Sequence, residues 1–100
     1  LGTKLVVVLG HGKCGAVTAT VQGGEAHGHI ASIVKTIAPA VEKAKTQPGD
    51  LTDNAIRTNV SFVVDKIKSS TLIALAINQG TAKIVGAYYD IDSGKVDFIA

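Results

Sequence analysis

Two side chains that can bind a metal, His11 and Cys14, are separated by only two residues in the stretch GHGKCGAV, residues 10–17. An imidazole nitrogen and a thiolate sulfur are common protein ligands of zinc, which is held in tetrahedral geometry by three or four such groups. The pair therefore supplies half of a zinc site, and the remaining ligands must come from elsewhere.

The sequence on either side predicts how this pair is positioned. Residues 5–9, LVVVL, have the length and the β-branched composition of a strand, and residues 14–22 can form a helix. A strand, a glycine-containing turn and a helix N-terminus would place both side chains at the carboxyl end of the strand, where open α/β sheets bind ligands. The partial positive charge of the helix N-terminus suits a thiolate at Cys14.

The same turn admits two other interpretations. Its three glycines fit the spacing Gly-x-Gly-x-x-Gly of a dinucleotide-binding loop. The acidic residue expected about 20 positions later, at the end of a second strand, is absent, because Lys35 lies there within a helical pattern. Cys14 could instead be an activated nucleophile beside His11, or simply a small thiol packed beneath the helix.

Further ligands within the chain are few. Glu25, His27 and His29 alternate along a short polar segment and could bind a metal, although an exposed loop at residues 25–29 is the simpler interpretation. The chain has a single cysteine, which excludes an internal disulfide and is typical of a reducing compartment, so we expect a cytoplasmic location.

Composition limits the class of protein. Residues 1–100 have the length of one domain, with 46% hydrophobic residues and a mean hydropathy of +0.31. The net charge of +2, with scattered basic residues, does not favour a nucleic-acid partner, and no apolar run has the length of a membrane span. So much aliphatic surface on a small body predicts contact with another chain, as in a homo-oligomer.

The hydrophobic pattern predicts an α/β fold. After the first helix, apolar residues at helical spacing indicate helices over residues 30–41, interrupted by Pro39, over residues 50–67 with Asp50 as the N-cap, and over residues 71–79. Residues 82–89 and 95–99 read as strands joined by a hairpin turn at residues 92–94. We expect a small sheet with parallel strands, an antiparallel C-terminal edge strand and flanking helices.

One edge of the first strand would have no partner in this sheet. An exposed apolar edge invites pairing with another strand, so we expect residues 5–9 to be an inner strand, buried on both faces. The covering protein would be a partner chain or a missing N-terminal part.

The stretch VVVLGHGKCGAV resembles the second metal motif of the β-class carbonic anhydrases. The similarity continues through IAPAV at residues 37–41, Asn59-Val60, and IVGAYYD at residues 84–90 with SGKV at residues 93–96, so it covers nearly the whole chain in order. The resemblance implies a zinc enzyme that works as a dimer or larger oligomer and converts carbon dioxide to bicarbonate by zinc-bound hydroxide. It implies His11 and Cys14 as zinc ligands and assigns no other catalytic or cofactor-binding residue here.

One part of the family pattern is missing from this chain. The family's first motif, Cys-x-Asp-x-Arg, supplies a second cysteine ligand and an Asp–Arg pair, and it lies upstream of the matched region. The only arginine, Arg57, matches no catalytic position. We therefore expect the C-terminal half of an enzyme, or a minimal relative in which two copies form a closed His₂Cys₂ site, or a non-catalytic module that keeps the fold.

Overall fold

The computed structural model describes residues 4–25 and 27–99 and contains the two main strands predicted from the sequence. In chain order the elements are β1 (Leu5–His11), α1 (Gly15–Gln22), α2 (His29–Ala44), α3 (Leu51–Lys68), α4 (Thr71–Asn78), β2 (Lys83–Tyr89) and β3 (Val96–Phe98). None of the helices in the described ranges is long and apolar enough to cross a membrane.

The strands form one sheet in the order β1-β2-β3 within the described residues. β1 and β2 are parallel, with Leu5 opposite Lys83 and His11 opposite Tyr89. β3 is antiparallel to β2, with Ala87 opposite Phe98. The α/β fold with a parallel pair and an antiparallel C-terminal strand is thus confirmed. The four helices α1 to α4 provide the long connection that the parallel strands β1 and β2 need.

The hydrophobic core lies between this sheet and the helices. Val60 and Val64 of α3 pack with Ile84 of β2, and a second cluster unites α1, α2 and α3 with Tyr88. Both clusters are aliphatic apart from that tyrosine, as the low aromatic content predicts. The apolar residues at helical spacing along α3 therefore form the face that packs on the sheet.

Close approach of α3 to β1 depends on Gly10. A Cβ atom at this position would lie 2.6 Å from Val60 Cγ2 and 3.1 Å from Ile56 Cγ2. We expect Gly10→Ala to lower the free energy of unfolding by about 1–3 kcal/mol, the usual cost of overpacking a core. Urea unfolding would measure the loss, and Gly10→Ala should cost less in a Val60→Ala background, where the obstructing methyl group is absent. Equal costs of Gly10→Ala in the two backgrounds would contradict this contact.

The face of β1 turned away from α3 is exposed in this chain, so the protein expected to cover the strand is not found among the described residues. Leu5, Val7 and Leu9 are 56%, 44% and 53% exposed, whereas the residues between them face α3 and are half-buried. Phe98 on β3 is also exposed on this side of the sheet, since it lies opposite Ala87, which shares the face of Leu9. The described helices cover only one face of the sheet.

Two local expectations at the helices differ from the structure. α2 runs through Pro39 without a restart, and His29 is its first residue rather than part of a loop. The rest of the expected polar loop includes Ala26, which lies outside the described residues. The N-cap of α3 is confirmed, because Asp50 Oδ2 accepts a 2.8 Å hydrogen bond from the Asp53 amide.

The hairpin between β2 and β3 forms as predicted. The amide of Gly94 donates to the Asp90 carbonyl at 2.8 Å, and Gly94 has a φ of 75°, which glycine adopts without strain. The hydroxyl of Ser93 donates to Asp90 Oδ2 at 2.8 Å and holds the pKa of that carboxyl below its usual value. The turn therefore depends on local side-chain bonds as well as on glycine.

Candidate metal site

His11 and Cys14 lie on either side of a tight turn between β1 and α1. His11 is the last residue of β1, and Cys14 is the N-cap residue of α1. The amide of Gly12 donates to the Tyr89 carbonyl at 2.9 Å, which extends the sheet by one bond. Lys13 then reverses the chain with a φ of 57°, a left-handed conformation that is uncommon for a residue with a side chain. The two potential ligands are thus held at the carboxyl end of the sheet, as predicted.

The imidazole of His11 has a defined orientation. Its Nδ1 lies 3.0 Å from the Gly12 carbonyl oxygen. A carbonyl oxygen can only accept, so Nδ1 carries the proton in this hydrogen bond and Nε2 keeps a free lone pair. The side chain is exposed, so Nε2 is accessible. Metal-binding histidines have this arrangement, in which one ring nitrogen is fixed by a hydrogen bond and the other is free for the metal.

Cys14 is a free thiol that is half-buried against the core cluster of α1, α2 and α3. Its carbonyl oxygen accepts a 2.8 Å hydrogen bond from the Thr18 hydroxyl within the first turns of α1. As N-cap it makes no side-chain hydrogen bond to the helix, so its sulfur is not engaged in capping. The thiol lies between the interior and the surface, which is compatible with a ligand and also with simple packing.

The donor types fit zinc, but the donor number does not complete a site. No group of three or more His, Cys, Asp and Glu side chains is assembled anywhere in residues 4–25 and 27–99. Glu25 and His27 line a separate cavity of about 310 Å³ beside α1 and α2, where Ile30 and Val34 also contribute. Within the described residues His11 and Cys14 are thus two potential donors only, and zinc held by two such groups alone would be weakly bound.

A tyrosine that sequence reasoning did not single out lies directly beneath the turn. Tyr88 of β2 is 9% exposed and borders a cavity of about 390 Å³ with Gly12 and Lys13. Asp53 of α3 lines the same cavity. Hydrogen bonding to Asp53, burial and the negative charge of that carboxylate raise the pKa of Tyr88 to about 12. A tyrosine near the end of an apolar strand was the only sequence signal for this contact.

Arg57 joins Tyr88 to two carboxylates. Its guanidinium lies 4.1 Å from the centre of the Tyr88 ring, its Nε is 3.2 Å from Asp53 Oδ2, and a terminal nitrogen is 3.6 Å from Asp97 Oδ2. The resemblance gave Arg57 no catalytic position, and the structure places it on the helical face of the sheet, beneath the turn rather than beside His11. The ion pairs are partly exposed, so their contribution to stability is modest, but they fix the ring between α3 and β3.

The raised pKa of Tyr88 predicts a loss of stability at high pH. An unfolded tyrosine ionises near pH 10, whereas the folded protein favours the neutral phenol until about pH 12. The contribution is complete below pH 10 and is lost as the pH rises through 12, with a total of about 3 kcal/mol. Urea unfolding between pH 9 and 11.5 would give the free energy of unfolding of the unmodified chain and of Tyr88→Phe. The free energy of the variant should fall less steeply with pH. Parallel curves for the two proteins would refute the prediction.

Comparison with known proteins identifies relatives of the chain. A family model described as carbonic anhydrase matches residues 1–96. A carbonic anhydrase of Mycolicibacterium smegmatis is 32% identical over 102 residues, which cover 97% of this chain and 50% of that protein. Carbonic anhydrase 2 of Mycobacterium tuberculosis is 31% identical over 100 residues and is covered to 48%. The chain spans about half the length of these relatives.

Solved structures show the same fold. A tetrameric β-carbonic anhydrase of Sordaria macrospora superposes with a TM-score of 0.84 at 18% identity, covering 97% of this chain and 52% of that one. A β-carbonic anhydrase of Coccomyxa in complex with acetazolamide gives a TM-score of 0.78 at 22% identity, covering 96% and 46%. The fold thus corresponds to about half of each of these chains.

Proposed function

The chain belongs to the β-class carbonic anhydrase family, and from that membership we propose that it supplies two zinc ligands, His11 and Cys14, to an enzyme that interconverts carbon dioxide and bicarbonate. One observation carries the proposal: the two side chains flank a two-residue turn at the carboxyl end of the sheet, with His11 Nδ1 already hydrogen-bonded to Gly12. The atoms that would bind the zinc are Nε2 of His11 and the sulfur of Cys14.

The residues of the turn between β1 and α1 have different roles in the proposed zinc site. Zinc, when bound, would lower the pKa of a water molecule toward neutrality and so provide the nucleophile. His11 and Cys14 hold the ion, and the Gly12 carbonyl keeps the imidazole in the tautomer that leaves Nε2 free. Lys13 forms an exposed ion pair with Asp92 at 3.0 Å, which ties the turn to the hairpin after β2.

The missing ligands and the unpaired edge of β1 have one common explanation. β1 lies at the edge of the sheet in the described residues, and its outer face exposes Leu5, Val7 and Leu9. The relatives are about twice as long as the match. We propose that polypeptide corresponding to their unmatched half pairs with β1, covers this face and brings the remaining zinc ligands to His11 and Cys14. The subunit completed in this way could then form an oligomer, as in the tetrameric β-carbonic anhydrase of Sordaria macrospora.

A non-catalytic role is the second candidate, and the count of two donors favours it for the isolated chain. Two copies could share one zinc through two His11 and two Cys14 side chains, a closed set that leaves no position for water. Such a site would stabilise a dimer and would not turn over carbon dioxide. A module without zinc, which only assembles with other chains, is the remaining form of this alternative.

Zinc content and carbon dioxide hydration, measured on the same preparation, test these candidates. For the complete protein we expect one zinc per chain, and we expect Cys14→Ser to lower both zinc affinity and hydration rate by at least about a hundredfold. Thr20→Ser, on the same helix away from the turn, is the matched control. One zinc per two chains without activity would support the closed site, and absence of zinc would support the scaffold.

A further inference from the structure

Gly12, between the two proposed ligands, lies against the hydroxyl of Tyr88. A Cβ atom at this glycine would be 2.9 Å from Tyr88 Oη, while its next neighbours, Tyr88 Cζ and the Tyr89 carbonyl oxygen, are 3.8 Å and 3.9 Å away. Gly12 has no positive φ, so its backbone would accept a side chain. The phenolic oxygen of Tyr88 therefore limits how closely the turn at Gly12 can approach β2.

Tyr88 is itself held from two directions. The carboxylate of Asp53 on α3 lies close to its hydroxyl, in the lining of the same cavity. The guanidinium of Arg57 lies 4.1 Å from the ring centre and forms ion pairs with Asp53 and with Asp97 of β3. A ring that is 9% exposed and fixed by α3 and β3 cannot move away from Gly12 without breaking these contacts.

We propose that Tyr88 is a positioning residue for the turn that carries His11 and Cys14, and that Asp53 and Arg57 keep it in place. The binding of a metal by this turn depends on the proposed function, whereas the contact between Tyr88 and Gly12 is independent of it. Tyr88 acts through Gly12, whose amide donates to the carbonyl of Tyr89, the next residue of β2.

Positioning matters here because ligand geometry at a metal is narrow. Productive sites tolerate displacements of only about 0.5 Å, and they depend on supporting residues whose own conformations are fixed. His11 ends a strand, but Cys14 begins a helix after a left-handed residue, so the peptide at Gly12 decides the separation of the two donors. The hydroxyl of Tyr88 lies beneath the peptide at Gly12 and supports it.

The test is a double-mutant cycle with Gly12→Ala and Tyr88→Phe, read out by the rate at which a thiol reagent modifies Cys14 in this chain without metal. We expect Gly12→Ala to displace the turn and raise the rate roughly tenfold, since the half-buried sulfur is released from the core. In the Tyr88→Phe background the same change should alter the rate less than about twofold, because the obstructing oxygen is gone. Gly15→Ala, whose added Cβ meets nothing within 4 Å, is the matched control and should leave the rate unchanged.

Equal effects of Gly12→Ala in both backgrounds, or no effect in either, would overturn the proposal. Thermal unfolding of each variant identifies any loss of fold. A Gly12→Ala protein that unfolds and is rescued by Tyr88→Phe supports the proposal, and a double variant that also fails to fold contradicts it.

A second readout, Co²⁺ binding to the complete protein, separates this inference from the proposed function. Weakened cobalt–thiolate absorption in Gly12→Ala, with recovery in the double variant, would extend the positioning role to the metal. Unchanged absorption in Gly12→Ala would contradict that role. Failure of the unmodified protein to bind Co²⁺ would contradict the zinc proposal, while the thiol result would stand.

Discussion

Val60→Asp is expected to lower the free energy of unfolding by about 3–5 kcal/mol. Val60 is 3% exposed and packs between β1 and β2 with Val64 and Ile84. Gly10 of β1 lies directly against it, since a Cβ atom at Gly10 would be 2.6 Å from Val60 Cγ2. An unpaired buried charge costs about 3–5 kcal/mol, which is a large part of the stability of a domain of this size.

Urea unfolding followed by circular dichroism would measure this loss. Asn59→Asp is the matched control, because it adds the same charge to the next position of α3, which is half-exposed, and it should cost less than about 1 kcal/mol. A melting temperature for Val60→Asp close to that of the unmodified chain would show that α3 presents a different face to the sheet.

Replacing Val7 and Leu9 together by lysine is expected to have the second largest effect, on assembly rather than on folding. Both side chains are about half exposed in this chain, so their replacement should change its stability by less than about 1 kcal/mol. Under the proposed function the same face is covered in the complete subunit. Loss of two buried aliphatic side chains costs about 3–6 kcal/mol there, which corresponds to a more than hundredfold weaker association of the two halves.

Mixing this chain with separately produced polypeptide for the unmatched half, followed by size-exclusion chromatography and zinc analysis, measures that association. Leu72→Lys with Leu75→Lys is the matched control, since these side chains of α4 are 78% and 53% exposed on a different surface. Self-association of this chain alone that is lost in Val7→Lys with Leu9→Lys would identify a second copy as the occupant of the face. Equal association of both double variants would disprove the proposed cover.

Local features of the sequence determined the elements and the place of the candidate site. The apolar run before Gly10 predicted β1, apolar spacing predicted α3 with Asp50 as its cap, and a glycine-containing turn predicted the hairpin. These predictions succeeded because strand composition, capping and turn conformation depend on neighbouring residues. The location of His11 and Cys14 at the end of β1 followed from the same local order.

Pattern alone did not decide two features. The continuous apolar run of β1 predicts burial on both faces, but the described helices cover one face only, so burial of the other face by further protein stays a prediction. Pro39 suggested a break in α2, but the helix continues through it. In each case an interaction or conformation outside the local pattern decided the outcome.

By itself the sequence determined the strand–turn–helix that carries His11 and Cys14, because each part is encoded within a few residues. Only the tertiary structure brought Tyr88, Asp53 and Arg57 beneath that turn. Tyr88 lies against Gly12, 76 positions away in the chain, and against Arg57 of α3, 31 positions away. No local pattern specifies such a contact, since it depends on the parallel register that puts His11 opposite Tyr89 and on the face that α3 lays on the sheet.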